Sequence, residues 1–179
     1  MTCDRALEIA RPSTDAVGTI VDMWVDLATD QRRHGSHLLA EPNRERVREA
    51  VLRGIATDSV LVATVDGEPV GFVTFAVETG VYEQDVRRGL VENLYVVPER
   101  RGEGVGTSLL ESAEDRLRER GCDALFLEML TANEGARRFY RRAGYEPHRI
   151  QLERSVHDEG SGDEGEASAT ENDTHTRDD

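Results

Sequence analysis

The strongest constraint on this chain lies between residues 93 and 110, where an apolar segment runs into a glycine-rich turn and then into leucines. The stretch reads NLYVVPERRGEGVGTSLL, with Gly102, Gly104 and Gly106 at alternate positions behind Pro98. This pattern predicts a strand, a tight turn and a helix in direct succession. Such a turn aims backbone N–H groups and the positive end of the helix at one point, which suits a phosphate group.

Two common phosphate-binding motifs do not fit the turn. A P-loop needs Gly-Lys-Ser/Thr, but Gly106 is followed by Thr107 and Ser108, and all 22 basic residues of the chain are arginines. The dinucleotide motif needs a third glycine at position 107, where this chain has threonine. The sequence therefore argues against a nucleoside triphosphatase and against a Rossmann dehydrogenase.

The sequence as a whole predicts one α/β domain over residues 1–156. Of the full chain, 37% is apolar, and its hydrophobic periodicity alternates between that of a helix and that of a strand. Strands are expected at 6–10, 60–65, 70–77, 90–97, 124–130 and 145–152. Four helices are expected at about 14–35, 43–56, 105–121 and 133–144, with Asn43 and Asn133 as N-caps. The turn Asp66–Pro69 predicts a hairpin.

Charge limits the partners of the chain. The net charge is −14, from 36 acidic residues against 22 arginines, so we expect no binding to nucleic acid or to anionic membranes. Excess acid with arginine in place of lysine predicts a halophilic cytoplasm, where salt screens self-repulsion. Codon bias combined with an acidic tail is the alternative, and both can hold. Maximal stability at low salt would contradict the first interpretation.

The two ends of the chain carry further expectations. The first twenty residues are charged where a secretion signal needs an apolar run, which favours a cytoplasmic location. Residues 157–179 hold nine acids and one arginine, a composition typical of a disordered tail. Cys3 and Cys122 lie far apart without ligand-like neighbours, so no metal site is expected.

The segment Arg101-x-x-Gly104-x-Gly106, behind a strand and Pro98, resembles the pyrophosphate loop of the GCN5-related N-acetyltransferases (GNAT), which bind acetyl-coenzyme A. The resemblance continues in EMLTANEGARRFYRRAGYEP, a strand followed by an Asn-capped helix with a tyrosine, a glycine and an aromatic residue. The matching positions are Glu128, Asn133, Tyr140, Gly144 and Tyr145. The loop motif alone is weak evidence, but its combination with this downstream pattern is specific.

This resemblance implies a fold, a co-substrate and its contacts. The fold would be a mixed, mostly antiparallel sheet flanked by about four helices, with the parallel fourth and fifth strands splayed apart. The turn would bind the pyrophosphate of acetyl-CoA, the fourth strand its pantetheine arm, and Asn133 that arm or a catalytic water. The expected contact residues are Leu94, Tyr95, Val96, Arg101, Gly102, Glu103, Gly104, Val105, Gly106, Thr107 and Asn133.

The resemblance also implies acetyl transfer to an amine, with Tyr140 as general acid and Glu128 as general base. Glu92 is the second candidate base. Each of the two glutamates interrupts an apolar strand, where a buried carboxylate must be paired, protonated or used. The structural alternative makes Tyr140 a core aromatic and the glycines an ordinary tight turn.

The acceptor amine is not readable from the sequence. Family members acetylate small molecules, protein N-termini or lysines, and a homodimer is compatible with the resemblance. The segments 27–43 and 79–89 are expected to separate these possibilities. A domain of the same fold that binds an acyl-CoA or a protein without turnover is the alternative function.

Overall fold

The computed structural model describes residues 6–80 and 82–156, so Cys3 and the expected tail at 157–179 lie outside the described residues. Contacts divide the chain into two units, Met1–Glu146 and Pro147–Asp179. In the second unit, the described residues 147–156 form no helix or strand. None of the helices in the described part of the chain is long and apolar enough to cross a membrane.

The first unit is a five-stranded sheet with four α-helices, counted over the described residues. The elements are β1 (Leu7–Ala10), α1 (Val17–Arg32), α2 (Arg44–Ala56), β2 (Val60–Val65), β3 (Glu68–Val77), β4 (Arg88–Val96), α3 (Val105–Glu119), β5 (Ala124–Leu127) and α4 (Glu134–Arg142). The strand order is β1-β2-β3-β4-β5, and every neighbouring pair is antiparallel except β4 and β5. The predicted fold class is confirmed.

The two faces of the sheet carry separate parts of the core because side chains alternate along each strand. Helices α1 and α2 cover one face, where Ile20 and Val21 pack with Phe72. Helix α3 covers the other face with the apolar stripe that its periodicity predicts, and each member is at most 3% exposed. The stripe consists of Val105, Leu109, Leu110, Ala113 and Leu117. The C-terminal half of α4 contributes Phe139 and Tyr140 to this second face.

Three predictions about the elements are wrong. The structure has no strand between Tyr145 and Val156, where Pro147 lacks an N–H donor and Ile150 and Leu152 are 81% and 89% exposed. Strand β5 ends at Leu127 instead of residue 130. Asn43 does not cap α2 with its side chain, because its Nδ2 donates to the carbonyl of Leu39 at 2.7 Å.

The hairpin prediction is confirmed. Asp66 and Gly67 connect β2 to β3 with φ values of 54° and 85°. Two consecutive left-handed residues match the twist of the flanking strands, and Asp and Gly adopt this conformation readily. Strand β3 thereby lies in the middle of the sheet, where it supports β4.

Candidate functional site

Strands β4 and β5 separate after a short stretch of parallel pairing. They pair in parallel only from Arg88–Val91 to Ala124–Leu127, although β4 continues to Val96. The last five residues of β4 therefore have a strand neighbour, β3, on one side alone. Their other edge has no strand partner, so it can pair with an extended ligand, although the Val96 carbonyl there already accepts from Arg101.

The separation coincides with a bulge in β4. Thr74 and Phe75 are consecutive in β3, but they pair with Asn93 and Val91 of β4. Glu92 therefore has no partner on β3 and is the extra residue of a β-bulge. The Asn93 Nδ2 donates to Thr74 Oγ1 at 2.8 Å and ties the bulge to β3. An extra residue of this kind twists the strand away from its neighbour.

The bulge also changes which residues face the open edge. Before it, the carbonyl of Arg88 accepts from the N–H of Glu78, directly after β3, and after it the N–H of Val97 donates to the carbonyl of Val70. Alternate residues of an antiparallel strand bond to the same neighbour. The backbone of Leu94 and Val96 therefore points to the open edge, whereas that of Tyr95 points to β3.

The glycine turn follows directly and ends at the N-terminus of α3. Gly102 and Gly104 have φ values of 82° and 88°, a left-handed conformation that side chains disfavour. Gly104 is the N-cap, and within the described part of the chain no side-chain hydrogen bond caps this helix end. The first N–H groups of a helix have no intrahelical partner, so those of Val105, Gly106 and Thr107 are available to an anion.

The two arginines of the turn already have partners within the protein. Arg101 donates from Nε to the carbonyl of Val96 at 3.0 Å, and its guanidinium lies 5.6 Å from the ring centre of Tyr95. Arg100 pairs with Glu103 at 3.4 Å. Arg101 thus ties the turn to β4, Arg100 forms an ion pair within the turn, and both keep positive charge beside the helix end.

The two candidate carboxylates occupy equivalent positions on β4 and after β5, where the two strands separate. Glu92 and Glu128 each directly follow the last paired residue of their strand, Val91 and Leu127. Both side chains are exposed, so the expectation of buried carboxylates is wrong. In the described part of the chain neither has an ion-pair or hydrogen-bond partner, which leaves both free to bind water or a substrate.

Tyr140 lies half-buried on α4, where its ring contacts Phe139 and Tyr145 edge-on at 5.0 and 5.8 Å between ring centres. Burial raises the pKa of its phenol to about 12. The phenol therefore stays protonated at neutral pH and remains a hydrogen-bond donor. Phe139 reaches the glycine turn, because its ring atoms lie 3.7 Å from where a Cβ of Gly106 would be.

Asn133 caps α4, as predicted, by accepting the N–H of Ala136 on its Oδ1 at 2.9 Å. The Nδ2 group of the same side chain is the part left for a ligand. The described structure thus brings the end of β4, the glycine turn and α4 to one side of the sheet, through the contacts of Gly106 with Val96 and Phe139.

The segment before β4 forms a separate concave surface of about 270 Å³, lined by Glu78, Tyr82, Asp85, Arg88 and neighbouring residues. Tyr82 is 86% exposed there. Arg88 pairs with Glu78 at 3.1 Å and lies over the Phe126 ring at 3.9 Å. This surface is polar and lies at the opposite end of β4 from the glycine turn.

Sequence reasoning missed three contacts that shape the site. These are the bulge bond between Asn93 and Thr74, the bond from Arg101 to Val96, and a hydrogen bond of 2.9 Å from the Tyr145 hydroxyl to Glu114. The first and third join residues 19 and 31 positions apart, which periodicity does not connect. The polar Asn93 within an apolar strand was the one local signal.

The raised pKa of Tyr140 makes stability fall in alkali. An unfolded tyrosine ionises near pH 10, whereas the folded phenol ionises near 12. The unfolded state therefore loses its proton first, and the stabilisation present below pH 10 disappears between pH 10 and 12. Two pKa units correspond to about 2–3 kcal/mol.

The measurement is the free energy of unfolding from pH 9 to 12. Because the chain has no lysine, tyrosines dominate this window. Tyr140→Phe should flatten the fall, whereas Tyr82→Phe, at an exposed position, should leave it unchanged. If the free energy of unfolding fell equally steeply with pH in wild type and in Tyr140→Phe, the raised pKa of Tyr140 would be wrong.

The comparisons with known proteins agree with this geometry. The model of the acetyltransferase (GNAT) family matches residues 22–145. An uncharacterised N-acetyltransferase of Archaeoglobus fulgidus is 42% identical over 85 residues, which cover 46% of this chain and 56% of that protein. The chain spans about half the length of the relatives it matches.

Solved structures share the fold at low identity. A GCN5-related N-acetyltransferase from Ralstonia eutropha JMP134 superimposes with a TM-score of 0.67 at 22% identity, over 85% of this chain and all of the other. A predicted acetyltransferase with acetyl-CoA from Clostridium acetobutylicum gives 0.65 at 16% identity, over 84% of this chain and 97% of that one.

Proposed function

Because the chain belongs to the acetyltransferase (GNAT) family, we propose that it is an N-acetyltransferase that moves the acetyl group of acetyl-CoA to an amine. One observation carries the proposal: the open edge of β4 ends at a helix N-terminus behind left-handed glycines. An extended amide-containing arm fits the strand edge, and a pyrophosphate fits the helix end. Coenzyme A has both parts in this order.

The residues present fit the co-substrate. The amides of Gly104, Val105, Gly106 and Thr107 would hold the pyrophosphate, and Arg101 would add charge beside them. The backbone of Leu94 and Val96 would pair with the pantetheine arm, with one free N–H polarising the thioester carbonyl. Tyr95 would act indirectly, since its backbone faces β3 and its ring is buried against Phe72.

The transfer requires three events at the point where β4 and β5 separate. The nitrogen of an uncharged amine attacks the carbonyl carbon, and an N–H at the β4 edge stabilises the negative oxygen. A carboxylate takes the nitrogen's proton directly or through water, and we assign this role to Glu128 with Glu92 as second candidate. The carbon–sulfur bond then breaks as the thiolate leaves.

Tyr140 would serve the departing thiolate as a hydrogen-bond donor. Its pKa of about 12 exceeds that of a coenzyme A thiol, near the roughly 8.5 of cysteine. Complete proton transfer from the phenol to the thiolate is therefore unfavourable by about 3–4 pKa units, or roughly 5 kcal/mol. We propose that the phenol lowers the barrier by donating its hydrogen bond while charge develops on sulfur, and that the thiolate gains its proton later from solvent or the spent base.

The acceptor would be a primary amine of a small molecule or a protein. Exposed acids at the separation point and the net charge of −14 attract cations, which favours a substrate that arrives as an ammonium ion. Such a substrate must lose a proton before attack, so the exposed carboxylates would serve binding and deprotonation together.

The first prediction of the proposed function concerns the glycine turn. Gly104→Asn keeps the left-handed backbone, which Asn tolerates, and nothing lies within 4 Å of the new Cβ. The side chain would stand in front of the helix amides, so the Kd for acetyl-CoA should rise about tenfold or more. The matched control is Gly121→Asn, also left-handed and open but at the far end of α3. Calorimetric titration showing equal affinity in both variants would refute the phosphate site.

The second prediction concerns Tyr140. Tyr140→Phe keeps the ring and removes the donor, so kcat should fall about 10²-fold or more while the Kd for acetyl-CoA changes less than about twofold. Single-turnover measurement of thiol release separates the two quantities. A loss below about fivefold, with chemistry rate-limiting, would make this tyrosine only a packed aromatic residue.

The third prediction ranks the two carboxylates. Glu128→Gln should lower kcat/KM for the amine by about 10²-fold or more at neutral pH, and Glu92→Gln by much less. The loss should shrink at high pH, where the amine arrives uncharged. The reverse ranking would assign the base to Glu92, and binding of acetyl-CoA without turnover of any amine by the wild type would favour a non-catalytic module.

A further inference from the structure

Helix α4 ends in a motif that fixes the residue after its terminal glycine. Gly144 is left-handed, with φ 89°, and its N–H donates to the carbonyl of Arg141 at 3.1 Å. The N–H of Tyr145 donates to the carbonyl of Tyr140 at 2.9 Å. These two bonds form a Schellman motif, which brings the side chains of Tyr145 and Tyr140 into contact.

The contact between the two rings has a defined geometry. Their centres lie 5.8 Å apart and their planes are inclined by 70°. Edge-to-face packing of this kind is favourable and depends on orientation. The position of the Tyr145 ring therefore helps to set the direction in which the Tyr140 phenol points.

The Tyr145 ring is itself tied to α3. Its hydroxyl donates to Glu114 Oε1 at 2.9 Å, and the other oxygen of that carboxylate pairs with Arg118 at 2.7 Å. The Glu114 side chain is only 13% exposed. A hydrogen bond to a charged, mostly buried acceptor is stronger than one between neutral groups.

The other attachments of this end of α4 are the partly buried rings of Phe139 and Tyr140, which pack against the core. The helix has nine residues and no fully buried side chain. A helix of this length is marginal without tertiary contacts. The bond to Glu114 is thus one of the main attachments of the turn that carries Tyr140.

We infer that Tyr145 is a positioning residue for Tyr140, and that the Glu114–Tyr145 hydrogen bond fixes the orientation of the Tyr140 ring. The inference rests on the proposed function, in which Tyr140 donates to the leaving thiolate. It assigns Glu114 and Tyr145 a part in the chemical step although neither touches a reacting atom.

Tyr145→Phe tests the bond because it keeps the ring and removes the hydroxyl. We expect kcat to fall about tenfold, as for a misplaced catalytic group, with the Kd for acetyl-CoA unchanged within about twofold. Glu114→Ala should give the same loss. Glu114→Gln, which retains an oxygen acceptor, should recover most of the activity. Equal activity of wild type and Tyr145→Phe would overturn the inference.

The decisive comparison uses the Tyr140→Phe background. If Tyr145 acts only through Tyr140, adding Tyr145→Phe to Tyr140→Phe should cause no further loss of kcat. A further tenfold loss would show a general structural role and overturn the inference alone. Wild-type turnover by Tyr140→Phe would overturn the donor role in the proposed function and this inference with it.

A spectroscopic measurement tests the positioning without turnover. The chain has four tyrosines, so the fluorine spectrum of protein labelled with 3-fluorotyrosine can be assigned with single Phe variants. In the full chain without ligand, Tyr145→Phe and Glu114→Ala should each shift or broaden the Tyr140 signal. The exposed Tyr82 signal should stay constant. An unchanged Tyr140 signal in both variants would overturn the inference.

Discussion

The site depends on one extra residue in β4. Glu92 has no counterpart on β3, and this bulge sits where the pairing of β4 with β5 stops. Without it, β4 would continue beside β5 and its edge would be closed. With it, the backbone of Leu94 and Val96 turns to an edge that ends at the N-terminus of α3. The bond from Asn93 to Thr74, the latter only 9% exposed, keeps the bulge in place.

The charge near the open edge of β4 is positive, opposite in sign to the net charge of the chain. The net charge is −14, yet Arg100 and Arg101 lie in the glycine turn and α4 carries four exposed arginines. Helix α4 lies beside the turn through Phe139. These cations and the dipole of α3 raise the local potential where an anionic co-substrate would bind. Glu92 and Glu128, at the point where β4 and β5 separate, are themselves exposed to solvent.

The sequence predicted the local features of the fold and missed those that depend on distant residues. The stripe of α3, the Asn133 cap and the Asp66–Gly67 hairpin follow from spacing and turn chemistry, so they were predictable. The exposure of Glu92 and Glu128 was not predictable, because an acid within an apolar run looks buried until the pairing of its strand is known. The Glu114–Tyr145 bond was missed because it joins residues 31 positions apart in the sequence.

Hydrogen exchange of individual amides, measured by NMR with and without acetyl-CoA, shows whether the β4 edge and the glycine turn together bind the co-substrate. If they do, the amides of Leu94 and Val96 and those of Gly104 to Thr107 exchange fast in the free protein and slowly once acetyl-CoA is bound. The amides of Tyr95 and Val97, already bonded to β3, should change little. If exchange slowed equally at alternate and intervening residues of β4, or did not slow at the glycine turn, the proposed binding mode would be wrong.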